Sequence, residues 1–171
     1  MMHMTRTKGF SIMELIVYVA IFGLVSVVVI NSFVVVLNSY ATTRTNRDLM
    51  ESGLEVMERM SREIRQAKSI DLINSTFGTS PGVLQLNTTD SSGNAQTVKF
   101  IVESNKINLY VNNTYVGVIL NYNISVSSLI FRRISTSQGD AVKIELTLQD
   151  TPGHTTKLEK FYDTVTVRGN Y

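Results

Sequence analysis

Three residues near the amino terminus have types and spacing that could do chemistry. Gly9 and Phe10 join a short basic leader to a long apolar run, and Glu14 is the one carboxylate inside that run. A carboxylate in a membrane-spanning helix costs about 2.5–3.5 kcal/mol near the helix centre and less towards its end. Cleavage between Gly9 and Phe10 would create a positive α-amino group and leave Glu14 in the first helical turn, where the macrodipole favours an anion. An acid at this position therefore needs a positive partner, and a new amino group on Phe10 would supply one.

These residues resemble the class III signal of type IV prepilins and type II secretion pseudopilins, Gly-Phe-(Ser/Thr)-Leu-x-Glu-Leu. In that family a membrane-embedded prepilin peptidase cuts after the glycine and methylates the new phenylalanine amine. The resemblance implies that Gly9 is the cut site, that Phe10 becomes the N-methylated terminus, and that Glu14 pairs with a neighbouring subunit's amine and sets the axial register. Ile12 stands where the family usually has leucine, which is a conservative difference.

Two other kinds of segment begin in a similar way. A secretory signal peptide has a 7–15-residue apolar core before a small-residue cleavage site, whereas the apolar run here extends over residues 15–37 with few polar breaks. A plain membrane anchor needs about 20 apolar residues, which the run supplies. Neither alternative gives a reason for an acid at Glu14 or for Gly9-Phe10 at the junction, so the prepilin-like interpretation is favoured.

The charge of the chain argues against a broad nucleic-acid-binding surface. Removal of residues 1–9 takes away Arg6 and Lys8, so the 16 basic residues become 14 against 14 acidic ones, a net charge of 0. A local basic patch at Arg132-Arg133 stays open as the alternative. In a strand, however, these two side chains point to opposite faces, so a role in the strand ladder or an ion pair is the better explanation, and nucleic acid is not the expected partner.

The sequence predicts no enzyme, no cofactor and no metal site. There is no cysteine, which excludes disulfides, thiol nucleophiles and cysteine-ligated metals. His154 is the one histidine outside the leader, and it lies in a turn-like stretch with Pro152 and Gly153 that offers no catalytic constellation. Asp140 and Asp150 flank a predicted strand, but two separated acids fall far short of the six to eight oxygen ligands of Ca²⁺.

The apolar run predicts a helix, because a helix satisfies all its own backbone groups in lipid. Beyond residue 37 the apolar residues recur at steps of three and four, which indicates that the helix continues with one buried face. That stripe consists of Met50, Gly53, Met57, Met60, Ile64 and Ala67, widened by Leu54 and Val56. We therefore predict one helix over residues 10–68. Gly23 and Ser26 offer small surfaces where another helix could approach closely.

The remaining residues change to a period of two, which is typical of half-buried strands. The predicted strands are residues 83–86, 97–102, 106–111, 115–120, 124–134, 142–149 and 161–168. Ser104-Asn105 and Asn112-Asn113 are polar connections of hairpin length, which indicates an antiparallel meander. Residues 87–96 and 135–140 are predicted as loops.

The predicted fold class is α+β, with a long N-terminal helix packed on a C-terminal antiparallel β-sheet domain. The predicted divisions are a leader at residues 1–9, a transmembrane half of the helix at 10–37, an amphipathic half at 38–70 and a β domain at 71–171. The prepilin-like resemblance implies the same arrangement, a pilin-like fold. Residues 161–168 also resemble the end of J-type pseudopilins and W-type minor pilins.

The resemblance implies a structural subunit of a type IV pilus-like or type II secretion-like filament. Asn31 stands where major pilins often have proline, which favours a minor pilin or pseudopilin. The expected partners are prepilin peptidase, other subunits that pack on the N-terminal helix, and membrane lipid before assembly. The expected location is the cytoplasmic membrane with the C-terminal domain outside, and then an extracytoplasmic filament. The alternative is a single-pass adhesin or sensor that enters no filament.

Overall fold

The computed structural model describes residue 9 and residues 11–137, 139–150 and 157–169. Phe10 and His154, both singled out above, lie outside the described residues. The chain divides into two compact units, Met1–Arg44 and Thr45–Tyr171. The described residues form one long N-terminal helix and antiparallel strands, so the predicted α+β class is confirmed.

Helix α1, Ile12–Gln66, carries a charged residue that stabilises each of its ends. Glu14 lies in the first turn and Arg65 in the last, so each complements the partial charge of the helix macrodipole at that end. In the unit that ends at Arg44, the apolar side chains of α1 are exposed, and this stretch is long and apolar enough to span a membrane. Burying one such side chain is worth about 1.5–3 kcal/mol, so this stretch needs lipid or other helices around it.

In the second unit, α1 packs one face against the strands. Val56, Met57, Met60, Ile64 and Ala67 of the predicted stripe are buried, and Gly53 is buried with them. The prediction was wrong for Met50 and Leu54, which are 49% and 63% exposed. The buried face instead contains Leu49 and Gly53. Met50 and Leu54 follow these residues in the chain, so they point about 100° away around the helix axis.

The carboxyl end of α1 lies two residues earlier than predicted. The Lys68 amide donates a hydrogen bond to the Asn87 carbonyl at 2.8 Å, and Ser69–Ile70 forms the short strand β1 beside Asn87 and Leu86. Residues 69–70, assigned above to the amphipathic half of the helix, therefore belong to a sheet. A strand of two residues is too short for an alternation of hydrophobic and polar residues to be recognised in the sequence.

All seven predicted strands are present, and they form two sheets. In the first sheet, β1 is followed in order by β2 (Val83–Thr89), β3 (Ala95–Glu103), β4 (Lys106–Val111) and β5 (Thr114–Val118). The second contains β6 (Ile124–Thr136), β7 (Gly139–Asp150) and β8 (Leu158–Thr166), also in order. The antiparallel meander is confirmed within each sheet, but the strands do not form the single sheet that was expected.

The two predicted loops are shorter in the structure. Residues 87–89 of β2 pair with residues 95–97 of β3, and residues 135–136 of β6 pair with residues 139–140 of β7. These strand ends are polar, so the hydrophobic alternation stops before the backbone pairing does. The predicted turns at Ser104-Asn105 and Asn112-Asn113 are confirmed, with φ between 50° and 60° at all four residues. Positive φ at both central residues is the signature of the type I′ hairpin turn.

The two sheets share one hydrophobic core, whose fully buried members include Met60, Phe100, Phe131 and Ile144. Backbone hydrogen bonds join the sheets at their edges. The Gly82 amide donates to the Leu129 carbonyl and the Val126 amide to the Asn105 carbonyl, both at 2.8 Å. The Lys106 ammonium donates to the Asn121, Tyr122 and Ile124 carbonyls in the connection between the sheets, and burial lowers its pKa.

Candidate functional site

The amino end of α1 sets the position of Glu14. The Leu15 amide donates to the Ser11 carbonyl at 3.1 Å, so Ser11 is the N-cap and Glu14 occupies the third helical position. The amides of the first turn have no partner inside a helix, and they favour a negative charge at this position. The Ser11-x-x-Glu14 spacing is that of a capping box, a signal that could have identified Ser11 from the sequence.

Gly9 lies just before this turn and is exposed. A Cβ atom added to Gly9 would meet no atom within 4 Å. The described part of the chain therefore does not require glycine here for its own packing.

The Glu14 carboxylate is exposed and has one hydrogen-bond donor nearby. The Tyr18 hydroxyl, one turn along α1, donates to Glu14 Oε1 at 3.4 Å. Within the described residues Glu14 forms no ion pair, so its charge is open to a cation from elsewhere. Tyr18 was not among the residues predicted from the sequence, although its spacing of four residues from Glu14 places both on one helix face.

The small residues predicted as helix contacts lie on an open stretch of α1. A Cβ atom added to Gly23 would meet nothing within 4 Å. The Ser26 hydroxyl donates to the Phe22 carbonyl at 2.8 Å, so its polar group is satisfied inside the helix. Both residues can therefore approach another helix without leaving an unpaired polar group.

In the β domain, each arginine of the Arg132-Arg133 pair has an acidic partner. Arg132 Nε lies 3.0 Å from Glu145 Oε1, and Arg133 Nη2 lies 3.0 Å from Asp140 Oδ1. Hydrogen bonds from Lys143 and then Arg132 lower the pKa of Glu145, and those from Ser135 and Arg133 lower the pKa of Asp140. The ion-pair interpretation of these arginines is confirmed, and they do not form a basic patch.

The remaining acidic and polar groups form no catalytic arrangement in the described part of the chain. Asp140 and Asp150 lie at opposite ends of the twelve-residue strand β7, so they cannot share one ion. No group of three or more His, Asp or Glu side chains among the described residues could hold a metal. A groove of about 960 Å³ beside α1 contains Ser61 and Asp163, and the Ser61 hydroxyl donates to the Asp163 carboxylate at 2.6 Å.

The candidate site is therefore the amino end of α1, where Gly9 is exposed and Glu14 lies in the first turn of an apolar helix. Phe10, which the resemblance makes the methylated terminus, lies outside the described residues. Comparisons with protein-family models, with curated proteins and with solved structures find no match to this chain.

Proposed function

We propose that this chain is a structural subunit, a minor pilin or pseudopilin, of a type IV pilus-like or type II secretion-like filament. A prepilin peptidase cuts after Gly9 and methylates the new amine of Phe10. The processed subunit is held in the cytoplasmic membrane by α1 with its C-terminal domain outside. It then leaves the membrane and enters the filament through the same helix.

The observation that carries this proposal is the position of Glu14. It is the one acid in an exposed apolar stretch of membrane-spanning length, and it lies in the first helical turn without an ion-pair partner among the described residues. An acid in this place is a cost for a plain anchor. It becomes useful when an ammonium group from a neighbouring subunit pairs with it in a water-poor helix bundle.

The exposed apolar surface of α1 supports assembly through the helix. In the membrane this surface contacts lipid, and in a filament the same surface packs on neighbouring helices, so the exchange keeps its side chains away from water. Gly23 has no side chain that would keep another helix at a distance, and among the described residues no atom lies within 4 Å of the position of its missing Cβ. A β domain that covers only the later part of a long helix is also what a pilin-like fold requires.

The test is fractionation of cells that carry the wild-type chain. Filaments sheared from the cell surface should contain the chain with its other components, and cells without prepilin peptidase should retain the full-length chain in the membrane. The same fractionation is repeated with the main subunit of a type II secretion-like filament overproduced. Recovery of the chain in membranes alone, with no component co-purifying, would favour the tethered adhesin or sensor instead.

A further inference from the structure

The two sheets have four edge strands in the described part of the chain, and three of these edges are protected. Strand β1 has only two residues, and the free edge of β6 accepts hydrogen bonds from the Gly78 and Gly82 amides at 2.8 Å. Strand β8 carries charged residues, and the Ser61 hydroxyl of α1 donates to one of them, Asp163. Short length, charge and covering groups are common means of preventing an edge from pairing with another chain.

Strand β5 is the fourth edge, and it lacks this protection. Its five residues include no charged residue and no proline, and Tyr115, Val116 and Val118 are exposed. The Ile119 amide donates to the Ile107 carbonyl of β4 at 3.0 Å. Because the amides of successive strand residues point to opposite edges, the Val118 amide points away from β4. Strand β5 therefore offers an open hydrogen-bonding edge beside apolar side chains.

A groove of about 710 Å³ lies between this edge and α1. On the sheet side it is lined by the consecutive residues 116–121. The side chains of a strand alternate between its two faces, so a groove lined by consecutive residues follows the backbone edge. On the other side it is lined by four charged residues of α1, which we name the charged wall: Glu55, Glu58, Arg59 and Arg62.

The polar groups of the charged wall are only partly used within the described residues. Arg59 pairs with Glu63 through Nη2 at 3.0 Å, but its Nε is buried without a hydrogen-bond partner. Glu55, Glu58 and Arg62 are exposed and form no ion pair there, so free acids outnumber free bases. A ligand that suits this wall supplies a positive charge to the acids and an acceptor, such as a backbone carbonyl, to Arg59 Nε.

We propose that the groove binds an extended segment of a partner protein, which adds a strand to β5 and places a lysine or arginine beside Glu55 and Glu58. In this recognition mode the backbone hydrogen bonds supply affinity and the side chains supply specificity. A second copy's β5 fits less well, because its five residues include no base. The contact does not require a filament, so the inference goes beyond the proposed function.

Binding of a synthetic peptide to the full-length chain in detergent micelles tests the proposal. The probe is fluorescently labelled Lys-Thr-Val-Thr-Val-Thr-Lys. One control peptide has all internal amides N-methylated, and the other has glutamate in place of both lysines. The probe should bind saturably and both controls at least about tenfold more weakly, because one loses its backbone donors and the other is repelled by the two acids. Absence of saturable binding, or equal binding of the controls, overturns the proposal.

Variants of the chain test the two walls of the groove separately. Val118→Pro removes an amide that points away from β4, so it should lower affinity for the probe by about tenfold. Val118→Thr keeps the amide and should bind as the wild type does. Glu55→Lys with Glu58→Lys should weaken binding of the lysine peptide and strengthen binding of the glutamate peptide, a reversal that unfolding would not produce. Unchanged affinity of Val118→Pro, or no reversal, contradicts the proposal.

Amide hydrogen exchange shows where the peptide binds and whether a second copy competes for the edge. The probe should slow exchange in residues 114–118, with the Val118 amide among those protected. If this segment is protected without peptide and loses that protection on dilution, a second copy occupies the edge and the proposal is overturned. Protection by the probe at another segment alone also overturns it.

Discussion

At the scale of single residues, the proposal depends on one carboxylate. Glu14 could be singled out from the sequence because an acid is rare in an apolar run of this length, and the structure places it in the first turn of α1. The contact from Tyr18 at 3.4 Å adds a hydrogen-bond donor that holds the acid on one helix face. The pairing of Glu14 with the amine of Phe10 stays a prediction, because Phe10 lies outside the described residues.

Glu14→Ala should abolish assembly and leave membrane insertion intact. The neighbour's ammonium would enter the filament core without a partner, a loss of about 3–5 kcal/mol for a broken buried ion pair. The measurement is recovery in sheared filaments relative to abundance in membranes. Tyr18→Phe is the matched control: it removes a donor at 3.4 Å from the same carboxylate, and it should reduce recovery far less. Equal recovery of Glu14→Ala and wild type would refute the pairing role.

The lowered pKa values of two aspartates in the β domain predict how the free energy of unfolding depends on pH. The side chain of Asn74 donates to Asp71 at 2.8 Å and that of Asn94 donates to Asp90 at 3.0 Å, and these bonds are the first cause of the lowered pKa of each aspartate. A lowered folded-state pKa stabilises the fold above the ordinary carboxyl pKa of about 3.9, and this contribution is lost as the pH falls through the folded value.

Denaturant midpoints of a chain that begins at Asn38 should therefore fall as the pH is lowered from 5 to about 3. Asp71→Asn should make that decline shallower, since one of the groups that titrates is removed. A midpoint that stays constant over this interval would show that these hydrogen bonds do not favour the ionised aspartates in solution.

At the scale of elements, two stretches of α1 differ in which side chains they expose. The stretch of α1 before Thr45 exposes apolar side chains, and the stretch after it buries one face in the core of the β domain. Both properties could be predicted from the change in periodicity near residue 37. The close approach of Gly53 to β8, where an added Cβ atom would lie 2.1 Å from Phe161 Cζ, could not be predicted, because no local pattern links residues so distant in sequence.

Gly53→Ala should destabilise the domain by about 1–3 kcal/mol, the usual cost of overpacking. In a Phe161→Ala background the same change should stabilise it by about 0.8–1 kcal/mol, because alanine is the better helix former once the ring is absent. A double-mutant cycle of unfolding free energies measures this reversal of sign. If Gly53→Ala has the same sign in both backgrounds, the ring does not pack on this glycine.

At the scale of the whole chain, the sequence predicted the fold class, the long helix and the approximate positions of seven strands. It did not predict the separation into two sheets, nor the hydrogen bonds that join them, Gly82 with Leu129 and Val126 with Asn105. These hydrogen bonds join backbone groups, so no pattern of hydrophobic side chains in the sequence indicates them. The strand ends that extend into the predicted loops were missed for the same reason, since polar residues there are paired through the backbone alone.

The central claim is that the chain is cut after Gly9 and enters a filament, and mass spectrometry of the N-terminal peptide from sheared filaments tests it most directly. The wild-type chain should begin at an N-methylated Phe10. Gly9→Leu should stay full-length in the membrane with its β domain folded, since a Cβ atom at position 9 would meet nothing within 4 Å in the described part of the chain. A terminus at Met1 or Met2 on the wild-type chain, in cells with an active prepilin peptidase, would contradict the account.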